Sequence, residues 1–432
     1  MPGSAAQSAP RRRSLAGLSQ YRELNCDFWT FFVAALFYEA GFGLYFFLFN
    51  LYLLDFHFDE KAIGLINGAL SLGLLVSTLP VGFLARKFGN QPLLLFVFVA
   101  APFLGVLRAV CMWEPAQIGL AIAAGLVMSI WTVCFLPASA SFTSEKNRAA
   151  AIGLIFSVGI GATALGSGVS GYFSRWIGRL WPTIGPADAK RAVLLVSCAF
   201  AVLGLLPLMR LPNRAPAPQA GPALRVWDLS LLRNSFLRRY LPCVALWNCL
   251  MAAFTPFASV YFVRERHISL PHIGLIFSLS QMAQLVAGLL IPIFVRGLGM
   301  LKTILVAQLG TALLLMGLVL GQDEWCVAAF VIYSAAQWMS STAIYTLLMN
   351  VMPEGDRSAA SAMIMFSNSL LAACATPAAG ALLVRFRYAP VLTGMAALEA
   401  ALAILFWLFM EPRHGSLTVT QASLLPESAA DY

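Results

Sequence analysis

Ile63-Gly64-Leu65-Ile66 returns as Ile273-Gly274-Leu275-Ile276, 210 residues later in a chain of 432. Beyond each glycine, at a spacing of 25, stands another, Gly89 and then Gly299, each preceded by a basic residue, Arg86 or Arg296. A further pair follows at an offset of 209, where Glu145 to Arg148 and Glu354 to Arg357 both lead into apolar runs. A chain that repeats itself at half its length is two copies of one unit. When the units are membrane bundles, they can rock about a site held between them.

Composition places both units in lipid. The chain is 60% hydrophobic and 11% charged, and its mean hydropathy is +0.80. A soluble domain carries about 25% charged residues. A spanning helix needs about 20 mostly apolar residues, and twelve such runs fall near 28–54, 62–85, 92–112, 116–139, 149–173, 191–210, 240–263, 273–295, 302–320, 326–350, 358–384 and 389–410. The expected fold is an all-α membrane protein with twelve transmembrane helices in two pseudo-symmetric six-helix bundles, 28–210 and 240–410. A tail over 1–27 precedes them and one over 411–432 follows. The linker over 211–239 begins with Pro212, Pro216, Pro218 and Pro222, an extended segment. It then alternates Leu224, Trp227, Leu231 and Leu232 with Arg225, Arg233, Arg238 and Arg239, the pattern of an amphipathic helix on a membrane surface or of a basic solvated loop.

The net charge of +9 belongs to the loops rather than to a nucleic-acid footprint. Placing both termini in the cytoplasm puts 18 of the 28 Lys and Arg on that side, the bias expected of a multi-pass protein of the plasma membrane, such as a bacterial inner membrane. Arg11-Arg12-Arg13 has no apolar stretch behind it before Phe28, so no cleavable signal peptide is expected. The eight cysteines show no Cys-x-x-Cys spacing and read as small buried apolar residues, not as metal ligands. No Gly-x-x-x-x-Gly-Lys-Ser/Thr run occurs, so no nucleotide is expected as energy source, and no cofactor is implied. No His-Glu-x-x-His occurs either, which argues against an intramembrane enzyme. The expected partners are a small-molecule substrate, protons and the bilayer, with the chain a monomer.

The turn after the second span resembles a motif of the major facilitator superfamily of secondary transporters, Gly-x-Leu-Ala-Asp-Arg-x-Gly-Arg-Arg. Gly82, Leu84, Ala85 and Gly89 match it and Lys87 is a basic substitute, while Arg86 replaces the Asp and Asn90 a basic residue. The resemblance runs from about Phe28 to Glu411. It implies a conformational role for Gly82, Arg86, Lys87, Gly89, Arg296 and Gly299, without the usual carboxylate lock. A weaker resemblance links Gly166-Ser167-Gly168-Val169-Ser170-Gly171 to the Gly-Pro-x-x-Gly-Gly motif of proton-driven drug and metabolite exporters, with Ala375 to Gly380 as the repeat partner, retaining Pro377. Small residues for helix packing explain the same positions.

Two acids lie well inside predicted spans, Glu39 and Glu399. Counted from Phe28, Glu39 is roughly 16 Å deep, where an ionisable group costs about 2.5–3.5 kcal/mol and normally faces a cavity or a partner. Burial disfavours the charged carboxylate, so this group is the expected proton carrier and also a substrate contact. Gly43, Phe46 and Asn50 follow at +4, +7 and +11, which returns to one helical face, and Phe42 and Phe46 beside Glu39 are expected to line a pocket. In the repeat-related seventh span, Asn248, Thr255 and Ser259 stand opposite Glu39, Phe46 and Asn50 at an offset of 209. Gln281, a polar residue of the eighth span, extends the expected substrate set, and Tyr333 and Gln337 join it since the resemblance puts spans one, four, seven and ten around the central path. Glu399 is expected to be structural, because the resemblance puts span twelve at the periphery. Arg108, near the end of the third span, is expected to snorkel, and His57, His267 and His272 to lie on the surface. Together these features point to export of an amphipathic organic solute against proton entry. The alternatives are proton symport of a sugar or other metabolite, and a receptor that kept the fold without transporting.

Overall fold

The computed structural model describes residues 24–144, 147–212 and 233–411. Pro216, Pro218 and Pro222 and most of the amphipathic stretch of the linker, and both tails beyond residues 24 and 411, lie outside the described residues. Among the described residues, twelve helices are long and apolar enough to cross a membrane. In lipid every backbone N–H and C=O needs a partner within the protein, which a helix supplies along its own length.

Helices 1 to 6 are Cys26–Asp55, Glu60–Phe88, Asn90–Val110, Glu114–Ser141, Arg148–Leu180 and Pro186–Leu203. Helix 7 comes in two pieces, Ser235–Phe254 and Ala258–Arg264, joined by a 3₁₀ turn at Thr255–Phe257. Helices 8 to 12 are Leu270–Leu298, Met300–Leu320, Asp323–Val351, Glu354–Phe386 and Tyr388–Met410. Helix 7 begins at Ser235, so Arg238 and Arg239 belong to its first turns and not to a surface helix. His272 likewise stands in the first turn of helix 8.

The repeat in sequence is a repeat in backbone. Gly89 and Gly299 join helices 2–3 and 8–9 with φ of 86° and 80°, a conformation that glycine adopts without the penalty a Cβ brings. His57 and His267 end helices 1 and 7 with φ of 63° and 51°. Tyr52 donates to Ala109 O at 2.6 Å, tying helix 1 to the last turn of helix 3. At an offset of 209, Tyr261 donates to Leu318 O, tying helix 7 to the last turn of helix 9. Carbonyls in a last helical turn have no partner of their own, so each hydroxyl satisfies one. Arg191 then donates to the Tyr52 hydroxyl and Arg266 to that of Tyr261, both at 2.8 Å.

The halves meet along two seams, helix 2 on helix 11 and helix 5 on helix 8. A Cβ on Gly64 would stand 2.7 Å from Thr376 O, and one on Gly274 2.6 Å from Ser167 O. Gly380 presses on Glu60 O and Gly171 on Leu270 O in the same manner. Each residue in one seam has its repeat partner in the other, so the quoted Ile-Gly pairs are the points where the halves touch. All these contacts lie toward one end of the bundle, the end holding Glu60 and Leu270. Helix 1 reaches helix 7 chiefly through Ala258–Arg264, the piece nearest that end. None of these inter-half contacts lies toward the other end, which holds Gly89 and Gly299.

Candidate functional site

Pro256 breaks helix 7, and its consequences organise the closed end. Proline has no N–H to offer the carbonyl four residues earlier, so Ala252 O is free and accepts from the Thr376 hydroxyl at 3.2 Å. The Pro256 carbonyl accepts from Asn50 Nδ2 of the other half at 2.9 Å, and Asn67 Nδ2 donates to Asn50 Oδ1 at 3.1 Å. Beyond this, Arg264 pairs with Glu60 at 2.5 Å and the Tyr388 hydroxyl lies 3.4 Å from the same carboxyl. Phe47 meets Phe277 edge-on at 5.3 Å. An ion pair, two amides and an aromatic contact therefore shut this end. Asn50, expected to touch substrate, is engaged in that closure, and Ser259 is buried in the short helical piece Ala258–Arg264.

The Asn50 contact also fixes which way helix 1 faces. Glu39 and Phe46 lie on the same stripe, so they look toward the second half. Phe46 is 38% exposed there, and Thr255, its repeat partner, is exposed across the gap. Glu39 is half-buried and accepts from Trp131 Nε1 of helix 4 at 2.8 Å. Around this pair stand aromatics: Trp131 lies 4.5 Å from the Tyr38 ring, and Tyr38 lies 4.6 Å from Phe42. A Cβ on Gly159 of helix 5 would come within 3.9 Å of the Glu39 side chain, which leaves room for the carboxyl between three helices. An indole N–H stabilises a carboxylate out of water by a charge-assisted bond while leaving its second oxygen free. Chemically, such a group holds either a proton or a cationic ligand against an aromatic wall.

Other expected contacts fall differently. Asn248 is half-buried and donates to Val244 O of its own helix at 2.8 Å. Gln281 is half-buried on helix 8. Tyr333 and Gln337 are buried in the second half, where Gln337 Nε2 donates to the Tyr333 hydroxyl at 2.8 Å and Tyr333 packs on Phe254 at 5.9 Å. Glu399 is 0% exposed, with Thr311 of helix 9 and Tyr333 beside it. Arg108 does not snorkel. It is 3% exposed, with its guanidinium 4.2 Å over the Phe49 ring, because helix 1 covers it. At the other end, Gly82 has no neighbour within 4 Å of a Cβ position, so it makes no close helix contact. Arg86 and Lys87 are exposed, and Arg296 Nε reaches Pro292 O of its own helix at 3.2 Å.

Two parts of the site escaped sequence reasoning. Trp131 carried a signal, since a buried indole needs an acceptor and Glu39 a donor, on helices expected to line one path. Glu60 and Arg264 sat at predicted loop edges with nothing to pair them. Among the described residues no three His, Cys, Asp or Glu side chains group as a metal site would require.

Residues 31–376 and 251–430 match the Major Facilitator Superfamily. The chain belongs to this family. Its superfamily fold aligns with solved transporters throughout. The nucleoside transporter NupG shares 13% identity with a TM-score of 0.75, covering 90% of this chain and all of that one. The xylose transporter XylE from E. coli, in an inward open conformation, shares 15% with a TM-score of 0.70 and covers 92% of this chain and 100% of its own. A bacterial homologue of the iron transporter ferroportin, in an inward-facing state, shares 13% with a TM-score of 0.67, covering 88% and 98%. No curated protein sequence matches the chain. As a member of the superfamily, the protein is an integral multi-pass transporter and not an enzyme.

Proposed function

We propose that this protein exports a small amphipathic organic solute by alternating access, in exchange for protons carried by Glu39. The observation that carries the proposal is the Glu39 carboxyl held by one indole N–H of Trp131, a ring that packs on Tyr38 and through it on Phe42. One carboxyl that takes a proton or a weakly basic solute, but not both, gives exchange rather than co-transport. Aromatic rings supply the apolar and cation-attracting surface, and Asn248, Thr255 and Gln281 offer neutral hydrogen bonds from the facing half.

The charge bias of the loops supports both termini in the cytoplasm, which makes the closed end extracellular and the state inward-open. Gly89 and Gly299, with Arg86, Lys87 and Arg296, then serve as cytoplasmic turns that flex when the halves rock. The protein works as a monomer in the plasma membrane, since one chain supplies both halves. Proton symport of a nucleoside or sugar is the second reading, favoured by the neutral amides on helices 7 and 8.

Proteoliposomes with a pH-sensitive dye in the lumen separate these readings. Weak organic bases, neutral nucleosides and sugars are added one at a time. Exchange moves protons opposite to the solute, symport moves them with it, and a receptor binds without flux. Proton movement that persists unchanged in Glu39→Gln contradicts the proposed role of Glu39.

A further inference from the structure

A groove of about 760 Å³ lies outside the central path, on the seam between helices 5 and 8. Leu165, Val169, Tyr172 and Trp176 line it along one exposed face of helix 5, Leu165 at 70% exposure, and Leu275 and Ser278 line it from helix 8. The opposite face of helix 5 is used up: Ser167 and Ser170 are buried and Gly166 lies against helix 1. At this level the halves are closed on each other, so the groove looks into the bilayer. Its end nearest the membrane surface carries Arg175 and Arg179, one turn apart and exposed, with no acidic partner among the described residues. Tyr172 and Trp176 stand at the same level, and Trp176 stacks on Phe173 at 5.8 Å.

An apolar trough leading to two unpaired guanidiniums, framed by interfacial aromatics, matches one ligand class. Arginine forks bind phosphate oxygens, Trp and Tyr sit at the headgroup level, and the trough takes a hydrocarbon chain. We propose that this groove binds one anionic phospholipid of the leaflet at the closed end, its phosphate on Arg175 and Arg179 and an acyl chain along Leu165, Val169 and Leu275. Gly168 and Leu275 belong to different halves, so the groove is complete only while this end is shut. The lipid therefore stabilises the shut state in proportion to its preference for it.

The test reads lipid retention and needs no flux, so its outcome is separate from that of the transport proposal. The full chain is reconstituted in vesicles of phosphatidylcholine with a minor fraction of phosphatidylglycerol, released in mild detergent, and weighed by native mass spectrometry. The native chain retains one phosphatidylglycerol, favoured over phosphatidylcholine by about tenfold. Arg175→Gln with Arg179→Gln abolishes the preference. Leu165→Trp, at an exposed position that tolerates bulk, fills the trough and lowers retention with both charges intact. Gly274→Trp wedges helix 8 from helix 5 and lowers retention with every lining side chain in place. Undiminished preference in the arginine variant, or undiminished retention in the other two, overturns the proposal.

Discussion

Trp131 Nε1 donates to Glu39 Oε1 at 2.8 Å, joining helices 1 and 4 across 92 residues of sequence. The bond orients the carboxyl on the face of helix 1 that looks toward the second half, where Asn50 of the same stripe reaches the Pro256 carbonyl. Glu39→Gln retains an acceptor for the indole and removes the proposed proton site. Solute-driven proton movement in proteoliposomes is expected to vanish at normal abundance and fold. Trp131→Phe keeps the ring and removes the donor; a bond of this kind to a charged group contributes about 1.5–3 kcal/mol, so exchange slows by tenfold or more. Retention of native rates by both variants contradicts the assignment.

The pair between Glu60 and Arg264 is a latch across the halves. The arginine is 40% exposed, so a double-mutant cycle with Glu60→Gln and Arg264→Gln is expected to give about 1 kcal/mol of coupling or less. The more telling readout is conformational. With the latch removed, a cysteine at Ser259, buried in the shut state, becomes reactive to a membrane-impermeant maleimide. Unchanged labelling means that the ion pair does not hold this end shut.

Gly64 and Gly274 meet carbonyls where no Cβ fits. Gly64→Val and Gly274→Val should each disfavour the closed seam, and both should raise the same labelling. Equal behaviour of the two variants is itself a test of the pseudo-twofold relation. A variant that loses stability without opening this end would assign the glycine to packing alone.

Tyr52→Phe and Tyr261→Phe each remove a hydroxyl that satisfies a helix-end carbonyl and accepts from an arginine. Each should cost about 1 kcal/mol of stability, read as a lowered Tm in detergent. The two losses should be similar and additive, because the sites are remote from one another in different halves.

Much of this architecture is legible in the residues. Twelve apolar runs need no partner information to be seen as helices, and Ile63-Gly64 with Ile273-Gly274 betrays the duplication because both copies meet the same packing demand. Gly89 and Gly299 were readable as turns for the same reason. What escaped is pairwise. Trp131 and Glu60 bond to residues 92 and 204 positions away, and no local pattern encodes such distances. The family resemblance implies that Tyr333 and Gln337 line the path, yet they bond to each other inside their half, because helix rotation is set by packing rather than polarity. Arg108 shows the same limit: a cation near a helix end can reach water, but here helix 1 lies over it. Pro256 was visible, and its freed carbonyls were a signal left unused.

In the proposed cycle the two halves exchange their openings under control of the Glu39 carboxyl. Spin labels on Lys87→Cys and Arg296→Cys, in opposite halves at the end that holds Gly89 and Gly299, report that exchange without any knowledge of the solute. The interspin distance is measured in liposomes as pH is varied, in the native background and with Glu39→Gln. The account predicts a long and a short population whose ratio changes with pH in the native background and stays fixed in Glu39→Gln. One unchanging distance, or the same pH response in both backgrounds, would contradict it.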